Sequence, residues 1–121
     1  MNYDRSKLNN VKNTIYDIWQ TRFNKIYSDS DWSNVHIFQH AIENCYGVEY
    51  VNLKNGKYHN FFNDGDIPPY REYELIIKTN FGYLTGNIIC CSAGTMEDPF
   101  SRYDILINLG PENKDYVPFD E

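Results

Sequence analysis

At residue 48 the spacing of apolar residues changes from the period of a helix to the period of a strand. No other feature of the sequence constrains the fold as strongly. Before that point Leu8, Val11, Ile15, Ile18, Trp19, Arg22/Phe23 and Ile26 recur at helical spacing. They predict an amphipathic helix from about Arg5 to Tyr27, with Asp4 or Ser6 as its N-cap. The cluster Ser28-Asp29-Ser30-Asp31 ends it and prepares the next cap. Val35, Phe38, Ala41, Ile42 and Cys45 form the stripe of a second helix at about 33–46, and Gly47 stands where a left-handed C-cap is expected.

After residue 48 the alternation is two-fold. Val48–Leu53 reads as a strand, and Asn55-Gly56 between Lys54 and Lys57 predicts a type I′ hairpin returning through Tyr58–Phe62. Asn63–Pro69 is a loop by its turn residues. Glu72–Lys78 is a third strand, Asn80-Phe81-Gly82 a turn, and Tyr83–Cys91 a fourth strand in which Gly86 suggests a bulge. A second loop, Ser92–Ser101, leads to a fifth strand, Arg102–Leu109, stopped by Gly110-Pro111. Residues 110–121 form an acidic tail. Helices followed by strands give an α+β fold. Two N-terminal amphipathic helices would pack on a mostly antiparallel sheet of about five strands, all within one domain over 1–121.

A chain of 121 residues has room for one core. Its 41% hydrophobic and 17% aromatic content excludes a disordered polymer. No stretch approaches the roughly 18 apolar residues of a membrane span, and the first residues lack the pattern of a signal peptide. Three cysteines are too few, and odd in number, for a secreted disulfide scaffold. The expected setting is a reduced bacterial cytoplasm. Asn (15), Ile (12) and Tyr (11) far outnumber Ala (2), a bias towards A/T-rich codons that points to a low-GC genome.

Complete catalytic and metal motifs are absent. His36, His40 and Glu43 share a helix face, without the HExxH spacing of a zinc enzyme or any CxxC pair. A polar helix face looks the same. Cys90 or Cys91 with His36, His40 or His59 would give a nucleophile and base, but adjacent strand cysteines are ordinarily core residues. Asp64-Gly65-Asp66 lacks the further ligands of a calcium loop. No phosphate-cradling glycine loop occurs, and the basic residues of the first helix read as a solvated face. Neither a metal nor a cofactor is expected.

Charge is the remaining signal. The net −6 divides into +1 over residues 1–60 and −7 over residues 61–121. Glu72 and Glu74 share one strand face, Asp64 and Asp66 lie in the first loop, Glu97 and Asp98 in the second, and Glu112 and Asp115 in the tail. Carboxylates held on a sheet and its loops can imitate a nucleic-acid phosphate array and occupy a basic groove.

Two stretches, Leu84-Thr85-Gly86-Asn87-Ile88 and Gly94-Thr95-Met96-Glu97-Asp98-Pro99-Phe100-Ser101-Arg102-Tyr103-Asp104-Ile105, look like short accessory proteins of phages and mobile elements of Gram-positive bacteria. That group includes anti-CRISPR and anti-restriction inhibitors. The resemblance implies a stoichiometric inhibitor, not an enzyme, whose partner is a basic nucleic-acid-binding protein such as a host defence nuclease. Nucleic acid and membrane are not expected as direct partners. An immunity protein that neutralises a toxin nuclease is the first alternative, a small Cys/His enzyme the second, and a structural or regulatory phage protein the third.

Overall fold

The computed structural model describes residues 2–23, 34–59, 70–91 and 105–115, without the side chains at 34, 55–59, 70 and 91. Asp4 starts the first helix, α1 (Arg5–Ile18). Its side chain accepts from the backbone N–H of Lys7 at 3.1 Å, satisfying one of the four donors a helix start leaves open. Leu8, Val11 and Ile15 are its buried stripe.

At Trp19 the helix changes to a π-helical turn, Trp19–Phe23, where the sequence predicted continuous α-helix. The stripe explains the change. In an unbroken α-helix the residue seven beyond Ile15 lies almost over it, which would bury Arg22. A π turn takes up one more residue and brings Phe23 to that position. Phe23 is 5% exposed and packs on Phe38 at 4.6 Å between ring centroids, while the Arg22 guanidinium lies outside over the Phe23 ring.

The second helix, α2 (Asn34–Glu43), buries Val35, Phe38 and Ile42. Gly47, at φ +83°, ends the following turn in the left-handed region, as expected from its position.

Four antiparallel strands follow among the described residues: β1 (Val48–His59), β2 (Tyr70–Thr79), β3 (Gly82–Cys91) and β4 (Ile105–Leu109), in that spatial order. The fold is α+β, with four strands among the described residues where about five were predicted, because Asn55-Gly56 does not turn the chain. β1 runs through it. Asn55 pairs with Tyr73 and Tyr58 with Arg71, so the interval carries one extra residue on β1 and forms a bulge. Continuing along β2 pairs both segments with a strand anchored in the core by Tyr73 and Leu75, which a local two-residue hairpin could not match. Gly86 is likewise not at a bulge. It holds unbroken register between Leu75 and Leu109, and a side chain there would collide with the backbone of Asn108.

One sheet face joins the helices in a single core. Val51, Leu75, Ile77, Leu84, Ile88 and Ile107 meet the stripes of α1 and α2. α1 lies against β3, its π turn reaches β4, and α2 packs on β1 and β3. Side chains of the first helix also cap the outer edge of β4. The Tyr16 hydroxyl accepts from Leu109 N–H at 2.9 Å, the Trp19 indole N–H donates to the Ile105 carbonyl, and Lys12 Nζ donates to the Gly110 carbonyl. Gln39 Nε2 does the same for the Val51 carbonyl on β1.

Candidate binding surface

Side chains alternate across a strand, so the register defines the second sheet face. β1 contributes Tyr50, Asn52 and Lys54; β2 contributes Glu72, Glu74, Ile76 and Lys78; β3 contributes Tyr83, Thr85, Asn87 and Ile89. Ile76 is 2% exposed yet stands apart from the main core, between Asn52 and Thr85. Polar groups surround it, many with apolar stems that cover it. Asn52 and Asn108 are exposed, and Glu72, Glu74, Lys78, Thr85 and Asn87 are partly so.

The two ends of this face differ in charge. At one end Glu49, the extra residue of a bulge between Val48 and Tyr50, reaches Lys78 Nζ at 2.9 Å. Its hydrogen bond and charge raise the Lys78 pKa. The Lys78 ammonium also lies 5.8 Å from the Tyr50 ring centre. At the other end Glu72 and Glu74 project side by side, about 6–7 Å apart by strand geometry. Asn87 Nδ2 donates to Glu72 Oε1 at 3.4 Å. Glu74 Oε2 is shielded from solvent and has no hydrogen-bond partner, with Lys54 opposite Glu74 in the register.

That carboxylate end is also where the strands break off. His59 pairs with Tyr70 and Tyr70 with Cys91, while Cys90 pairs with Ile105. The segments carrying Asp64, Asp66, Glu97 and Asp98 are tethered at those strand ends. The four carboxylates themselves lie outside the described residues.

Glu112 and Asp115 are not part of this group. Glu112 follows β4 beside Asn113, which pairs with Tyr83 six residues along β3 from the partner of Glu72, a span of about 20 Å. The Glu112 side chain is only 10% exposed and faces Lys12 at 3.8 Å and Arg5 at 3.9 Å on α1. Its charge is engaged within the molecule. Asp115 is exposed at that same far end.

No family model, curated protein or solved structure matches the chain.

Among the described residues no three His, Cys, Asp or Glu side chains are placed to hold a metal ion. His36 and His40 are exposed on α2, where His40 Nδ1 lies 3.4 Å from Glu43 and His36 Nδ1 lies 3.5 Å from Gln39. Cys90 is fully buried, and Cys45 is half-buried with its Sγ donating to the Ala41 carbonyl. Burial raises the Cys45 thiol pKa, opposite to the shift that activates a nucleophile. The Cys91 and His59 side chains lie outside the description. No helix of the described residues is long and apolar enough to cross a membrane.

Sequence reasoning missed the cations on the open face. Lys54 and Lys78 look like ordinary strand lysines until β1–β2 register sets them beside Glu74 and Glu49. It also missed the engagement of Glu112, whose partners lie some 100 residues away on α1. No local pattern announces either.

Proposed function

We propose that this chain is a non-enzymatic inhibitor of a nucleic-acid-processing enzyme, of the type carried by phages and mobile elements against host defence nucleases. It acts by presenting the acidic end of its open sheet face to a basic groove. The sheet topology supports this. It sets Glu72 and Glu74 side by side and tethers at the same end the two segments that contain Asp64, Asp66, Glu97 and Asp98. The shielded, unpartnered Glu74 oxygen adds to the case, because a carboxylate so placed gains most from an incoming cationic donor. Lys78 pairs with Glu49 at the far end and Lys54 stands opposite Glu74 at the near end, so the negative excess of the near end rests on Glu72 and the tethered carboxylates.

The decisive experiment mixes the purified protein with RNA-guided effectors and restriction enzymes. One class is expected to lose cleavage at stoichiometric ratio, with excess nucleic acid restoring it and added salt weakening the complex. A nuclease that binds this protein and its nucleic acid together, with an affinity indifferent to salt, overturns the mimicry. Failure of every nuclease tested overturns the inhibitor reading.

A further inference from the structure

A second surface lies on the helix side of the molecule. Lys7, Asn10, Val11 and Thr14 of α1, Tyr46 from the turn after α2, and Phe81 from the β2–β3 turn enclose an open notch of about 180 Å³. Its floor is apolar, formed by Val11 and Phe81. Tyr46 stands beside it 86% exposed, with its ring centre 6.3 Å from that of Phe81.

The walls are fixed by backbone. Asn80 N–H donates to the Gly47 carbonyl at 2.8 Å, and Asp4 N–H donates to the Phe81 carbonyl at 2.9 Å. Gly47 leaves room for the Phe81 ring, which any side chain at that position would strike. Three elements distant in sequence are thus locked around one concavity. A ligand would bind it without first ordering it.

The rim carries charge. The Lys7 ammonium sits 5.5 Å from the Phe81 ring centre, and no carboxylate of the described residues lies within ion-pair distance of it. Asp4, the nearest acid in the chain, receives the Lys7 backbone N–H instead. Arg5 stands in the same turn, 78% exposed, with its charge directed to Glu112 at 3.9 Å. Lys7 is thus the positive charge of the rim, held over an apolar floor.

We propose that the notch receives a short extended segment of a partner protein in which an apolar side chain lies next to a carboxylate. The apolar side chain packs over Val11 and Phe81 beside Tyr46, and the carboxylate meets Lys7. Tyr46 is the anchor, since an aromatic residue projecting from a rigid turn contributes area at little entropic cost. This site is separate from the open sheet face and engages the opposite charge.

The test is an NMR titration of the full chain with acetyl-Glu-Phe-Glu-amide, and with acetyl-Gln-Phe-Gln-amide as the uncharged control. Shifts are expected at Lys7, Thr14, Tyr46 and Phe81, with the control binding about fivefold more weakly, the size of an exposed ion pair. Lys7→Met should abolish the difference between the peptides. Tyr46→Ser, at a fully folded exposed position, should weaken both. Absence of shifts at these residues, or equal binding of both peptides, overturns the proposal. So would the same shifts on concentrating the peptide-free protein, which would assign the notch to a second copy of the chain.

Discussion

The indole N–H of Trp19 donates to the backbone carbonyl of Ile105, 86 residues away in the chain, and so joins the end of the first helix to the edge of the sheet. With Tyr16 on Leu109 and Lys12 on Gly110 it satisfies edge groups that would otherwise offer a pairing template. Trp19→Phe keeps most of the packing and removes the donor. It is expected to cost about 1 kcal/mol, and Tyr16→Phe a similar amount. Ile15→Ala, at a fully buried position, should cost about 2–5 kcal/mol. Urea unfolding checks all three. Unchanged midpoints would mean that neither the stitch nor the stripe holds the helix on the sheet.

The π turn makes a sharper claim. Deleting exposed Gln20 shortens the turn by one residue and leaves Phe23 seven places beyond Ile15, where a plain α-helix would bury it. The deletion is expected to be tolerated, whereas Phe23→Ala should cost about 3–5 kcal/mol. Thermal unfolding of the two variants decides it. A deletion as damaging as the alanine variant would show that the extra residue has some role besides placing Phe23.

The functional reading predicts a position-dependent effect of charge. Reversing Glu72 and Glu74 together should weaken binding to the target nuclease, largely through a slower on-rate that salt also reduces. Each exposed charge contributes about 1 kcal/mol or less, which is why the pair is needed. Reversing Asp115, some 20 Å away, should do much less. Stopped-flow association at two salt concentrations separates these outcomes.

Lys7 is expected to be costly to stability. It occupies the first turn of α1, where the helix dipole disfavours a cation. Lys7→Glu should stabilise the protein by about 0.3–1 kcal/mol. It gains no capping box, because the Asp4 N–H already donates to Phe81. A higher melting temperature together with loss of carboxylate-peptide binding would identify Lys7 as a residue kept at the expense of stability.

Much of the fold could be read from residues with strong local chemistry. Asp4 caps, Gly47 adopts a positive φ, and the change of period at Val48 marks the first strand. The errors came where tertiary pairing overrode a local preference. Asn55-Gly56 favours a turn in isolation but lies along an anchored β2, and Gly86 is required by the closeness of Asn108, not by a bulge. Arg22 and Phe23 competed for one helical position, which only the sheet below could decide. Of the candidate site, the pairing of Glu72 with Glu74 followed from strand alternation. Which carboxylates stay together and which are neutralised depended on register and on partners remote in sequence.

The passage of β1 through Asn55-Gly56 has a kinetic consequence. Early in folding, before β2 is available, residues 48–53 and 58–62 have a nearby partner in each other, and hairpins close in about microseconds. The native pairing, with β2, spans a longer loop. The chain is therefore expected to be frustrated at one place, where a fast non-native hairpin competes with the native pairing. Asn55→Thr, which weakens the turn and favours the strand, should speed refolding while leaving the unfolding rate nearly unchanged. Stopped-flow refolding would show this as loss of a slow phase or of curvature at low denaturant.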